Sequence, residues 1–378
     1  MAALCCALLC SLTLHAASPG TLASLDNALA RGDAIAAHAL TAELIAESPV
    51  GYDILLGAGV RLAQHDLFQD ASLVFARCVN QYPAAFEARH NLALTLVALN
   101  RSREALETLA AATTSTASER IAALHLMGVI QASLGATAQA ESNLAAALEG
   151  APDAENYASD LGLLELRMGA YGKALRTFQT GLEHHPNSPY LLLGLSAGQA
   201  LQGLYHESIA SSALALKNDP SMSLAQLLVA FTTYLSGDFE KARTLSDAAL
   251  RAGNTDPYLR FVHASSALRL NAREYDDLIL ELDQAIRALP RCVPCYVARS
   301  KAYQEQGNLP RAIADLEVVT SRLDSTFGQA WYRLAALYKK AGNTPAADAA
   351  SARFHELKQQ QINRDADLLR QAMLRKPE

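Results

Sequence analysis

Prolines return at a fixed interval in this chain. Pro49, Pro83, Pro152, Pro186 and Pro220 lie 34, 69, 34 and 34 residues apart, and 69 is two such intervals plus one inserted residue. Each sits in a similar short block, among them NQYPAA, EHHPNS and KNDPSM. A period of this length marks a chain made of stacked supersecondary units, each too small to bury an apolar face by itself. The 378 residues therefore form an elongated array with no single globular core.

Two helices can be read inside each interval. In the segment starting at Glu155, Ala158, Leu161, Gly162 and Glu165 share one helical face, and Ala174, Phe178 and Gly181 share another. Gly169 falls between them, where a tight turn needs left-handed backbone, and Pro186 stops the second helix. Composition agrees: hydrophobic residues are 51% and charged ones 19%, so the chain can fold, while aromatics are only 6% with Trp331 the single tryptophan. Small side chains at close helix crossings, and not a β-sandwich or barrel, follow from that balance. A formal net charge of −6 gives no electrostatic support to a nucleic-acid role.

Two columns of small residues run through the repeats. Position 8 is Gly59, Ala93, Gly128, Gly162, Ser196, Ala230, Ala264, Ser300 and Ala335; position 20 is Ala37, Ala71, Ala105, Ala140, Ala174, Ser208, Ala242, Ala312 and Ala347. With proline at 32, this pattern resembles the tetratricopeptide repeat, a 34-residue helix–turn–helix unit. The resemblance covers ten units, 18–51, 52–85, 86–120, 121–154, 155–188, 189–222, 223–256, 257–292, 293–327 and 328–361, with insertions near Arg120, Ala272 and Phe327. The eighth unit departs most, with Leu278 where alanine is usual. Residues 362–378 are expected to be a capping helix and tail, with Ile362, Ala366, Leu369 and Met373 on the covering face.

What the resemblance implies is an all-α, right-handed solenoid whose concave wall is lined by the first (A) helices, and a protein- or peptide-binding scaffold without chemistry of its own. The groove positions of the family are 2, 5, 9, 12 and 13. Here they give Tyr190, Leu193, Ala197, Ala200 and Leu201, then Leu224, Leu227, Phe231, Tyr234 and Leu235, with Tyr258 and Phe261 following. None is charged. Exposed, they make an apolar binding strip; the alternative is that the superhelix buries them against one another or against a neighbouring subunit. Further along, Lys301, Tyr332, Lys339 and Lys340 fall on the same wall, and residues 293–378 hold 13 Lys/Arg against 9 Asp/Glu. An anionic partner group at that end and a solvated surface are both compatible with this. Asn91 matches one position of the family's clamp for terminal carboxylates, yet no lysine partners it in units 52–119, and the asparagine ladder of the sugar-transferase relatives is absent.

Other features were weighed in the same way. Residues 1–17 carry no charged side chain and an apolar run from Ala2 to Leu14, which reads as an export signal directing the chain to the periplasm or outside the cell. A misplaced start, and a cytoplasmic protein, is the alternative, since the leader has no Lys or Arg. Cys292 and Cys295 form a C-x-x-C between two repeats; a local disulfide pinning the turn is preferred over two free surface thiols, and zinc would need a second pair. Cys78 is expected to be a buried small hydrophobe. His90 and His125 fall at the same groove position of adjacent units, and with Asn91 they are candidates for ligand contact or for simple structural roles. The sequon at Asn100 is a weak glycosylation signal. No nucleophile elbow, phosphate loop or metal motif occurs, so neither an enzyme nor a cofactor is expected. Three functions remain: a peptide-binding scaffold, a structural subunit of an envelope or secretion assembly, or the binding arm of an enzyme whose catalytic domain is on another chain.

Overall fold

The computed structural model describes residues 19–46, 49–111 and 116–374. The expected leader, 1–17, lies outside the described residues, as does the tail beyond 374. Two compact units divide the chain, Met1–Pro186 and Asn187–Glu378. The described residues are helical, and each unit contains five helical hairpins.

In the first unit the helices are α1 (Pro19–Ala30), α2 (Ala34–Ala46), α3 (Tyr52–Gln64), α4 (Phe68–Gln81), α5 (Phe86–Ala98), α6 (Ser102–Ala110), α7 (Ala117–Ser133), α8 (Thr137–Gly150), α9 (Glu155–Arg167) and α10 (Tyr171–His184). In the second they are α11 (Pro189–Leu201), α12 (Tyr205–Asn218), α13 (Ser223–Leu235), α14 (Phe239–Arg251), α15 (Pro257–Arg269), α16 (Tyr275–Ala288), α17 (Val293–Glu305), α18 (Leu309–Val318), α19 (Gly328–Lys340) and α20 (Thr344–Leu374). Odd-numbered helices are the A helices, even-numbered ones the B helices.

The small-residue columns do what sterics requires. A Cβ on Gly162 would stand 2.6 Å from the Phe178 ring, and one on Gly59 would stand 2.5 Å from Phe75. Where both columns carry serine they bond directly, Ser196 Oγ lying 2.9 Å from Ser208 Oγ, while Ser300 Oγ donates to the Ala312 carbonyl at 2.7 Å. Each A–B turn passes through left-handed backbone at one residue, from Gly32 through Asp66, Asn100, Gly135, Gly169, Gly203, Gly237, Asn271 and Gly307 to Gly342. That residue lets the next N–H reach back over the helix end, as Ala170 N does to Glu165 O at 2.9 Å.

The insertions sit where the backbone can absorb them. Near Arg120 the boundary 120/121 falls inside α7, which starts at Ala117 behind a Thr116–Glu119 capping box, while α6 is cut to nine residues. Near Ala272 the turn between α15 and α16 is longer than its neighbours. Near Phe327 a π-helical turn, Val319–Leu323, takes up the extra residue at the end of α18, with Asp324 N donating to Val319 O at 2.8 Å. Within the stretch expected to cap the array, 362–378, the described residues 362–374 continue α20 and do not form a separate helix. α20 runs unbroken to Leu374, Leu357 is its last buried residue among those described, and Ile362 is 49% exposed. The last apolar face is covered by the B-helix part of α20, through Ala347, Ala350 and Leu357.

Candidate functional site

Within the second unit, α13 packs beside α15 and α15 beside α17, so their groove positions form one continuous wall. Between α13 and α19 that wall opens into a cleft of about 250 Å³. α13 contributes Phe231, Tyr234 and Leu235, and α15 contributes Phe261, Ser265, Leu268 and Arg269. The far side comes from Pro294, Val297, Ala298 and Lys301 of α17, with Phe327, Gln329 and Arg333 around α19. Five residues expected on the groove from sequence therefore meet here: Phe231, Tyr234, Leu235, Phe261 and Lys301.

The aromatic floor is partly packed on itself. Phe261 is 5% exposed and belongs to the core, correcting the expectation of an open groove side chain at that position. Tyr234 meets it edge-on at 5.7 Å and Phe231 at 6.4 Å, while Phe231 also meets the Tyr258 ring at 6.3 Å. Both alternatives thus hold in part: Phe261 is buried, Phe231 and Tyr234 are half-buried, and Leu235 and Tyr258 remain exposed.

The other groove residues do not line the cleft. Tyr190 and Leu224 are open to solvent, and Leu193, Ala197 and Leu227 are half-buried along α11 and α13. Tyr332 packs its ring on Phe354 at 5.4 Å, tying α19 to α20, and Lys339 is exposed. Cys292 and Cys295 are bonded to each other at the start of α17, with Cα atoms 5.3 Å apart and both residues buried, so they are not surface thiols. The Cys292 sulfur also accepts the Cys295 amide, serving as the cap of α17, the helix that carries Lys301 into the cleft. In the first unit Cys78 is fully buried and burial pushes its thiol up to about 12. His125 is bound to Asp160 at 2.8 Å and stacked on Tyr157 at 4.1 Å, while burial and His125 hold His90 down to about 4. Both histidines are held in packing contacts. No group of three or more metal-ligating side chains occurs among the described residues, and no described helix is long and apolar enough to cross a membrane.

Several cleft residues escaped the sequence reading. Ser265, Leu268 and Arg269 occupy positions 9, 12 and 13 of the eighth unit; carrying the groove positions through that unit finds all three. Arg333 is at position 6 of its unit, outside the usual groove set, and reaches the cleft. Arg333 is half-buried, with no hydrogen-bond acceptor among the described residues. Lys301 Nζ donates to the Leu268 carbonyl at 3.0 Å, and Arg269 lies over the Phe239 ring at 5.3 Å.

No protein-family model matches the chain, and no curated protein matches it by sequence. Among solved structures, a tetratricopeptide repeat protein from Parabacteroides merdae is 17% identical over 76% of this chain and 98% of its own, with a TM-score of 0.44. YrrB, described as a TPR protein with an unusual peptide-binding site, is 16% identical over 49% of this chain and 94% of its own, at 0.39. Human IFIT1, solved as a dimer with m7Gppp-AAAA, is 16% identical over 88% of this chain and 80% of its own, at 0.45. The repeats of this chain have their own regular geometry: paired helices at a spacing of about 34 residues, small residues at most A–B crossings, and one left-handed residue in every A–B turn among the described residues. The chain is an all-α array of helical hairpins whose repeat pattern resembles the tetratricopeptide repeat.

Proposed function

We propose that the chain is a non-enzymatic scaffold that docks a protein or peptide segment on the A-helix wall of its second unit. The observation that carries this reading is the preformed cleft between α13 and α19, apolar at its floor and flanked by the exposed side chains of Leu235, Tyr258 and Arg269. Filling such a cleft with one bulky apolar side chain contributes about 1.5–3 kcal/mol, and a preformed wall spends little of that on ordering itself. Around it, Tyr190, Leu224 and Leu227 extend an uncharged strip along which a longer segment can lie.

The protein is proposed to work outside the cytosol. The charge-free apolar leader supports export, and the bonded Cys292–Cys295 pair fits an oxidising compartment. Thiol labelling of protein recovered from its own host, without reductant, is expected to modify neither cysteine; labelling of both contradicts this placement.

Docking is tested by placing a photo-crosslinking residue at Tyr258 on the A-helix wall and, separately, at Leu280, an exposed residue of the B helix α16. The full chain carrying the first is expected to yield a discrete protein adduct in its host, and the second is not. Adducts from 280 alone would make it an assembly subunit that uses its outer helices. An enzyme as the sole adduct at 258 would make it the binding arm of that enzyme.

A further inference from the structure

The cleft on α13–α19 is lined by three cations and by no carboxylate. No carboxylate forms an ion pair with any of the three among the described residues. Arg333 is half-buried without an acceptor, and burial together with the nearby Arg269 guanidinium holds its pKa below the usual range. Burial and the same two arginines push the Lys301 ammonium down, with Glu305 the only carboxylate opposing them. A balanced cation looks different in this same unit: Arg299, also on α17, is gripped by Asp315 and Asp283, the latter at 2.6 Å. Nothing of that kind answers Arg269, Lys301 and Arg333.

A second feature lies at the wall of the same cleft. Ser265 lines the cleft, is 5% exposed, and its hydroxyl has no hydrogen-bond partner. Ser266, fully buried beside it and outside the cleft lining, also lacks a partner, whereas Thr232, Thr233, Ser246 and Thr320 bond back to the preceding turn, as Thr233 Oγ1 does to Val229 O at 2.6 Å. An unsatisfied buried hydroxyl costs about 1–3 kcal/mol, which an acceptor brought by a ligand would recover.

Resting on the docking reading above, we propose that the cleft selects a protein segment in which a bulky apolar side chain adjoins an aspartate or glutamate. The apolar side chain fills the space over Phe231, Tyr234 and Val297. The side-chain carboxylate is received by Arg333 and Lys301, with the Ser265 hydroxyl donating to it or to the segment's backbone carbonyl. Arginine suits the task because its planar fork matches a carboxylate in two parallel bonds. A nucleic acid needs a track of cations along its backbone and open ring faces for its bases. This wall instead turns uncharged toward α11, at Tyr190, Leu193, Leu224 and Leu227, and buries Phe261.

The test uses the full chain and a library of nonapeptides acetylated and amidated at their ends, so that charge comes only from side chains. Peptides combining Leu, Phe or Trp with Asp or Glu are expected to be selected. Their affinity should fall about tenfold in Arg333→Gln and severalfold in Ser265→Ala. Ser265→Ala removes an unsatisfied hydroxyl, so circular dichroism should be unchanged and the melting temperature no lower, and a loss of binding is then a loss of contact. Selection of neutral or basic peptides, or equal binding by Arg333→Gln, overturns the charge preference while leaving docking intact. Failure to select any peptide overturns docking as well. An oligoadenylate included as a separate probe is expected not to bind; saturable binding that Arg333→Gln removes, with no peptide selected, would assign the cleft to nucleic acid and overturn the proposal.

Discussion

A methyl group on Gly162 has nowhere to go, because its carbon would lie 2.6 Å from two atoms and 2.9 Å from a third of a ring, Phe178, that is itself fully buried. Gly162→Ala should therefore destabilise the protein by about 1–3 kcal/mol, read as a drop in the urea midpoint, because a flat ring in a packed core cannot step aside cheaply. Adding Phe178→Leu should recover part of it, since Ala93 and Leu109 occupy the equivalent two positions in the third unit, both buried. No recovery would mean that the ring is not what excludes the methyl. His90 makes a different prediction. Its folded pKa is held down to about 4 by burial and by His125, while an unfolded histidine titrates near 6.5. Between those values the unfolded chain binds the proton and the folded chain does not, so stability is lost as pH falls from about 6.5 to 4. Allowing for the partial exposure of the ring, the effect is on the order of 2 kcal/mol. Chemical denaturation across that window should show the slope in the wild type and a flatter one in His90→Gln.

Helical hairpins in this chain are set by their turns as much as by their faces. Every A–B turn needs one left-handed residue, and the cost of supplying it without glycine falls on the backbone alone: a Cβ on Gly203, at φ 78°, would touch nothing within 4 Å. Gly203→Ala should cost about 1 kcal/mol by urea denaturation, and Gly203→Asn about half as much. Equal losses for the two would show that contact, and not backbone conformation, decides the position. Asparagine is tolerated because its side chain bonds locally, which is why Asn100 and Asn271 stand in the same column. This column was only half legible in the sequence. Gly169 announces its turn, whereas Asp66, Asn100 and Asn271 look like ordinary surface polar residues until their place in the register is known. The sequon at Asn100 has the same explanation, since the residue is required by the turn. The helix pairs and their crossings were legible, because only small side chains fit at positions 8 and 20 and sterics leaves a regular trace. What the trace could not show was how a helix ends: α6 stops early, α18 finishes in a π-helical turn and α20 continues through the expected cap, each decided by hydrogen bonds that any of several residues can make.

For the molecule as a whole, function depends on which side chains the second unit gathers. Four of its A helices build the cleft, and that could be read only in part. Phe231, Tyr234, Leu235, Phe261 and Lys301 were visible as groove positions, but whether each ring lies open or closed depends on how tightly neighbouring A helices pack, which the sequence does not encode position by position. Ser265 and Arg269 were concealed in the unit whose pattern is weakest. Arg333 was concealed because it stands at position 6 of its unit, outside the usual groove set. The gathering of three cations over an aromatic floor is the basis for proposing that the A-helix wall of the second unit receives an acidic and apolar segment. Hydrogen–deuterium exchange on the full chain, with and without a saturating nonapeptide of that composition, tests it directly. The account predicts added protection confined to α13, α15, α17 and α19. Protection on the B helices α14, α16 and α18, or on the first unit alone, would contradict it.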